Sequence, residues 1–184
     1  AEDPANNLAT SFNEEVVLKG MPGCGSVKVQ MKDGVGRVEL PVKGKDVVWV
    51  SVRGQGMSAL SNPMVIQKSP DDYGVYWGDL HGHTFESDGL GGSPDYYYTY
   101  ARDAADLDVC ASADHGPRKK SQEATRRFNE DGKFVTFWGY EWAESQPGRL
   151  DWNIYFRNDI DPIPKGWPKT IEDFYASVEA IYGD

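Results

Sequence analysis

The chain has 184 residues, and its 19 basic and 29 acidic side chains give a net charge of −10. Hydrophobic residues make up 39% and aromatic residues 12%, which excludes an extensively disordered chain. The acidic balance disfavours nucleic acid or an anionic membrane as the main partner. No apolar run approaches the ~20 residues of a membrane-spanning helix. We therefore expect no nucleic-acid partner and no membrane span, although a metal-filled pocket would still bind anions.

Residues 1–70 have the pattern of a small β-sandwich-like module. Runs rich in β-branched residues predict strands at 27–31, 38–42 and 47–52. Turn sequences separate them at Lys32-Asp33-Gly34, Lys43-Gly44-Lys45 and Gly54-Gln55-Gly56. Because no cluster of reactive side chains stands out here, we interpret this accessory module as structural or binding.

Residues 71–184 alternate predicted strands and helices. A strand at 76–83 leads into a glycine-rich loop, and Ser93-Pro94-Asp95 opens a helix with a capping residue and a proline at its first position. Further strands are predicted at 107–113, 134–141 and 153–157, with helices at 121–130 and from Thr170. Helical spacing predicts buried faces at Tyr97, Tyr100, Ala101 and Ala104, and at Ile171, Phe174 and Val178. This alternation predicts an α/β unit with parallel strands.

The two cysteines give little information on redox compartment. Cys110 lies in an apolar run and is interpreted as a buried free thiol, whereas Cys24 lies between glycines in a predicted turn. The opening sequence AEDPANN fits a mature terminus after signal removal and equally a cut within a longer protein.

All three histidines follow or end predicted strands of the second module. His81 and His83 are two residues apart, so strand alternation points both imidazoles to one face. His115 follows His81 by 34 residues, and Glu141 follows His115 by 26, each gap close to one strand–helix repeat. A β/α barrel carries the side chains of its active site at the ends of successive strands. The joint pattern therefore favours a metal site over four unrelated polar residues.

Three aspartates adjoin this pattern. Asp88 lies in the turn Ser87-Asp88-Gly89, where a carboxylate either satisfies backbone amides or reaches a neighbouring metal. Asp79 and Asp114 are candidates for orienting a liganding imidazole or for binding metal themselves. Strand alternation also allows Asp114 to face away from His115.

Three separated blocks then match a known family in order: YWGDLHGHTFESDG, YARDAADLDVCASADH and WGYEW. They resemble the PHP superfamily of metal-dependent hydrolases and, more narrowly, the domain-of-unknown-function family numbered 3604 (DUF3604), whose lead-in the segment ALSNPMVI also fits. The resemblance implies a distorted (β/α)7 barrel, two or three divalent transition metals and, most often, phosphoesterase activity. It assigns five metal ligands: His81, His83, Asp88, His115 and Glu141.

Mixed nitrogen and oxygen donors suit Zn, Mn or Fe better than Mg. In the expected mechanism Glu141 bridges two metals together with a hydroxide that attacks the ester, and Glu141 and His115 are the catalytic candidates. Arg118, Lys119 and Lys120 follow His115, where cations are either substrate-binding groups for a small anionic ester or a solvated basic run.

The chain departs from the family pattern in two ways. The family has a histidine shortly after the glutamate strand, where this chain has GRLDWN and offers only Asp151, as an oxygen ligand or as a loop residue. The family's last histidines lie beyond this chain, and about four strands cannot close a seven-unit barrel. We therefore expect an incomplete barrel, completed by the C-terminal remainder of the same protein or by another polypeptide.

Two alternatives to a phosphoesterase stay open. One is a metallohydrolase acting on an amide, a lactone or a sulfate ester. The other is a non-catalytic descendant that binds metal weakly and a ligand through the β module. The accessory module and the habit of the family favour a periplasmic or secreted location.

Overall fold

The computed structural model describes residues 1–5, 7–41, 43, 47–66, 74–89, 92–143, 150–157 and 168–182. The chain divides into two compact units, Ala1–Val75 and Tyr76–Asp184. The boundary expected after residue 70 falls among residues 67–73, which lie outside the described ranges.

In the first unit, every regular element of the described residues is a strand. A four-stranded antiparallel sheet has the order β2-β1-β4-β5, and a two-stranded antiparallel sheet pairs β3 with β6. The packing of these sheets as a sandwich remains a prediction. The bounds are β1 (Glu15–Lys19), β2 (Val27–Gln30), β3 (Val47–Val48), β4 (Ser51–Gly54), β5 (Met57–Leu60) and β6 (Met64–Val65).

The predicted turn after β4 is a two-residue hairpin. Gln55 and Gly56 have φ values of 49° and 76°, as a turn matched to the twist of the strands requires. The prediction of a strand at 38–42 is wrong for residues 38–41, which are not in a ladder. The predicted strand at 47–52 is split at residues 49–50 between β3 and β4, which belong to different sheets. Residues 42, 44 and 45 lie outside the described ranges.

The second unit is α/β, with an open four-stranded sheet in the order β10-β9-β8-β7. Within the described residues this sheet does not close into a barrel. Its elements are β7 (Gly78–Gly82), α1 (Pro94–Thr99) continued by a π-helical segment (Tyr100–Ala104), β8 (Val109–Ser112), α2 (Lys119–Phe128), β9 (Val135–Ala143), β10 (Asp151–Phe156) and α3 (Ile171–Tyr182).

The prediction of parallel strands is confirmed for β7, β8 and β9 and wrong for β10. Strand β10 pairs antiparallel with β9, with Asn153 opposite Glu141. Only residues 144–150 connect the two strands. Such a connection is too short for the crossover of a dozen or more residues that a parallel neighbour requires.

One hydrophobic cluster joins α1 and α2 to the sheet. The predicted N-cap is confirmed, because the Ser93 side chain accepts a hydrogen bond of 3.1 Å from the Tyr96 amide. Tyr98, which the spacing did not single out, is fully buried, and its hydroxyl lies 2.8 Å from Thr125 Oγ1. The cluster consists of Tyr98, Ala101, Cys110, Ala124 and Phe134.

A second cluster packs α3 against β9. The predicted helix face is confirmed, because Phe174 is buried and Ile171 and Val178 pack beside it. The partners on β9 are its even-numbered aromatic residues, Trp138, Tyr140 and Trp142. Since successive side chains of a strand alternate, Glu141 points to the opposite face of the sheet.

The helices of the described residues are short, with 6, 10 and 12 residues in α1, α2 and α3. Among them, none has the length and apolar character needed to cross a membrane.

The two thiols differ in environment, which gives a first testable prediction. Burial raises the pKa of Cys110 to about 11, so almost none of it is thiolate at neutral pH. Cys24 is partly exposed. We expect a colorimetric thiol reagent to modify one cysteine per native chain rapidly, and both only after denaturation. Rapid modification of Cys110 in the native chain would contradict this packing.

Candidate metal centre

Backbone hydrogen bonds align the carboxyl ends of the parallel strands with one another. Beyond β8, His115 forms an isolated parallel bridge with Glu141. The Gly116 amide donates to the Glu141 carbonyl at 2.9 Å, and the Glu141 amide donates to the Asp114 carbonyl at 3.0 Å. On the other side, the Ala113 amide donates to the Gly82 carbonyl at 2.7 Å. The residues at the carboxyl ends of β7, β8 and β9 therefore lie side by side.

Strand β7 contains an irregularity that the sequence pattern did not predict. Asp79 pairs with Cys110 and Gly82 with Ser112, so three steps along β7 match two along β8. Bulges of this kind redirect side chains and are frequent beside active sites. The irregularity lies between Asp79 and Gly82, and Gly82 directly precedes His83.

The first ligand group consists of His81, His83 and Glu141. Glu141 Oε2 lies 2.8 Å from His81 Nε2 and 3.1 Å from His83 Nε2. Glu141 is only 5% exposed, so its carboxylate is largely shielded from water. The side chain of His81 is 53% exposed, which leaves this group open on one side.

The second ligand group consists of His83, Asp88 and His115. Asp88 Oδ1 lies 3.2 Å from His83 Nδ1, and Asp88 Oδ2 lies 3.6 Å from His115 Nε2. His115 Nδ1 is also 3.8 Å from Glu141 Oε1. His83 belongs to both groups, so the two groups are adjacent.

The donor atoms fit divalent transition metals. Within each group one donor atom per residue lies within 4.8 Å of the others. Ligand atoms that lie about 2.1 Å from one ion are at most about 4.2 Å apart. Side-chain shifts of several tenths of an ångström would therefore bring the donor atoms of each group to metal-binding distances. Imidazole nitrogens with carboxylate oxygens are donors that Zn, Mn and Fe accept. Two neighbouring ions would also offset the negative charge of Asp88 and Glu141.

Asp88 is an acceptor held by its own loop. The Ser87 hydroxyl lies 2.7 Å from Asp88 Oδ1, and this hydrogen bond is the main cause that lowers the Asp88 pKa. The charges of His83 and His115 lower this pKa further. The ionised form suited to metal binding is therefore favoured at neutral pH.

Asp114 belongs to neither ligand group and is 1% exposed. Its carboxylate accepts hydrogen bonds from the Thr84 amide at 2.7 Å and from the Thr84 hydroxyl at 2.9 and 3.0 Å, and it lies 2.9 Å from the Ser87 hydroxyl. The Ser121 hydroxyl donates to it as well. Asp114 therefore ties the loop after β7 to the start of α2.

The remaining acidic candidates lie outside both ligand groups. Asp79 Oδ1 accepts from the main-chain amide of His81 at 3.0 Å rather than from an imidazole. Asp151 pairs with Ala143 at the start of β10, two residues before Asn153. Antiparallel pairing places Asn153 on the same face as Glu141, and alternation places Asp151 there too.

The three basic candidates lie at the start of α2. Lys120 pairs with Glu86 at 2.9 Å, and Lys119 lies 3.7 Å from Glu123 on its own helix. Arg118 is the N-cap residue and is exposed. In the described part of the chain no carboxylate pairs with Arg118, which makes it the best placed of the three to meet an anion.

Sequence reasoning missed Tyr155, whose hydroxyl donates to the Leu80 carbonyl. This contact joins β10 to β7, the two edges of the sheet, which would be about 14 Å apart in a flat sheet of four strands. One tyrosine side chain cannot span that distance, so the sheet curves toward the face that carries Glu141. Burial and the nearby carboxylates of Asp79 and Glu141 raise the Tyr155 pKa.

The polar side chains that hold the loop after β7 were also missed. These side chains are Thr84, Ser87 and Ser121. Of the three, only Ser87 had a signal in the sequence, because it lies beside Asp88 in the SDG turn.

Comparison with known proteins yields no match of any kind: neither a family model, nor a curated protein, nor a solved structure matches this chain.

His83 is the donor common to both ligand groups, so its loss affects both. We expect His83→Ala to lose most bound transition metal, and His115→Ala, which leaves the first group complete, to retain more. Elemental analysis of protein purified with Zn or Mn measures this difference.

Glu123→Ala is a matched control, because it removes an exposed carboxylate of α2 that contacts neither group. This variant is expected to bind metal as the parent does. Equal metal content in His83→Ala, His115→Ala and the parent would contradict the proposed ligand groups.

Proposed function

We propose that this chain carries metal ligands of a PHP-type metal-dependent hydrolase, acting on phosphoric esters. The proposal rests on two adjacent ligand groups that together contain three imidazoles and two carboxylates. These side chains come from strands β7 and β9 and from the residues that follow β7 and β8. No other set of three or more potential metal-binding residues converges in the described part of the chain.

The proposed metals are held by residues with different exposure. Glu141 is buried and borders both groups, whereas the His81 and His115 side chains are each about half exposed. Divalent metals held there would lower the pKa of a coordinated water and offset the negative charge that develops on a phosphoryl group. Substrate would approach from the side of His81 and His115, because Glu141 closes the opposite side.

The curvature of the sheet supports a barrel-type architecture for this site. Tyr155 holds the edges β7 and β10 toward each other on the Glu141 face, as an inward-curving barrel segment requires. A β/α barrel places its catalytic groups at the carboxyl ends of its strands, and His115 and Glu141 lie at such ends.

A metallohydrolase acting on an amide, a lactone or a sulfate ester is the second candidate. The pairing of Lys119 and Lys120 with glutamates favours it, because cations already neutralised by carboxylates contribute little to binding a dianionic phosphate. A non-catalytic descendant is the third candidate. Asp151 replaces the histidine expected there and lies outside both ligand groups.

The activity is tested on purified full-length protein stripped of metal and reloaded with Zn, Mn or Fe. We expect metal-dependent release of inorganic phosphate from a panel of phosphomonoesters and phosphodiesters. Glu141→Gln should lower kcat at least about a hundredfold, because it removes the carboxylate that borders both metals.

Turnover of sulfate esters, lactones or amides without phosphate release would favour the second candidate. Tight metal binding without metal-stimulated turnover of any panel member would favour the third. Arg118→Ala adds a further test, since it should raise KM for phosphoric esters and leave the KM for uncharged esters unchanged.

A further inference from the structure

We infer that Ser87, held in place by the backbone of the loop after β7, is a positioning residue that orients Asp88, a ligand of the second group only. The inference rests on the proposed function, because it concerns the affinity of the metals assigned to that site. It predicts that the two metal positions depend differently on one hydroxyl group.

The Ser87 hydroxyl lies where the loop after β7 meets the second ligand group. It is 2.7 Å from Asp88 Oδ1, 2.9 Å from Asp114 Oδ1 and 3.5 Å from His83 Nδ1. Neither His81 nor Glu141 contacts it in the described hydrogen bonds. Ser87 therefore contacts Asp88 and the Nδ1 side of His83, which faces Asp88, and neither of the two residues that occur only in the first group.

A serine hydroxyl has one proton and so donates to one carboxylate at a time. Asp114 already receives three other donors, two from Thr84 and one from Ser121. Asp88 lies beside two imidazoles and at the exposed end of the loop. We therefore assign the Ser87 proton to a hydrogen bond with Asp88, whose Oδ1 it holds toward His83.

The backbone keeps that hydroxyl in place, because the Ser87 amide donates to the Thr84 carbonyl at 3.2 Å and the Thr84 amide donates to Asp114. The carboxylate is buried, and its Thr84 and Ser121 contacts fix it to the loop and to α2 at once. A second link runs in parallel, since Glu86 of the same loop pairs with Lys120 of α2 at 2.9 Å. The loop is therefore anchored even without Ser87, so removing this hydroxyl frees Asp88 without releasing the loop.

The test is a titration of metal-free protein with Zn against a chromophoric chelator, which resolves two stepwise dissociation constants. Ser87→Ala should raise one constant by about 10- to 100-fold, the usual effect of removing a group that orients a metal ligand. The other constant should stay at the parent value. Ser87→Thr, which keeps the hydroxyl, should restore the first constant.

His115→Ala identifies which constant belongs to which group, because His115 occurs only in the second. In the His115→Ala background, Ser87→Ala should have no further effect on the remaining constant. A further loss there would overturn the inference, since it would show that Ser87 acts on the first group.

Ser121→Ala is the matched control for a general loss of stability. It removes a hydroxyl donor from the same Asp114 carboxylate but lies on α2, away from Asp88. Chemical denaturation should show a similar loss of stability for both serine variants, with both metal constants unchanged in Ser121→Ala. Equal weakening of the second metal in the two variants would overturn a specific role for Ser87.

Failure of the proposed function and failure of this inference alone would give different results. A parent protein that binds no Zn would refute the proposed function itself. A parent with two measurable constants and a Ser87→Ala variant with the same two constants would refute only this inference.

Discussion

The rest of the structure depends on the backbone register that aligns the carboxyl ends of the three parallel strands β7, β8 and β9. The hydrogen bonds between the Gly116 amide and the Glu141 carbonyl, and between the Glu141 amide and the Asp114 carbonyl, extend the β8–β9 ladder to the site. A slip of one residue would turn Glu141 to the face that packs on α3 and would move Tyr140 and Trp142 to the ligand face. The burial of those two aromatic side chains therefore fixes the direction of the carboxylate as well as the core.

The surroundings of the two ligand groups are built by different means. The first group rests on a strand, β9, whose neighbours hold it by backbone hydrogen bonds. The second takes Asp88 from a loop, which side-chain contacts through Asp114 and through Glu86 hold against α2. Loops that carry functional groups need such support, because backbone pairing does not fix them. The candidate metal site thus combines a side held by backbone pairing with a side that depends on a few hydroxyl groups.

Much of the second unit was predictable because its signals are local. Alternating apolar runs located the strands, Ser93 marked the start of α1, and the His-x-His spacing predicted imidazoles that the structure brings together. The antiparallel β10 was not predicted, since a strand pattern carries no direction. The irregularity in β7 depends on its pairing with β8, and the contact of Tyr155 with Leu80 joins residues 75 apart, so no local pattern reports either. In the first unit, residues 38–41 belong to the predicted strand 38–42 but lie in no ladder, because a run's local pattern does not specify a partner strand.

Anomalous X-ray diffraction at the metal absorption edge, from crystals of the full-length protein loaded with Zn or Mn, tests the central claim most directly. We expect two anomalous peaks, one among His81, His83 and Glu141 and one among His83, Asp88 and His115. Data from fully loaded crystals without a peak at these side chains, or with metal bound only elsewhere, would contradict it.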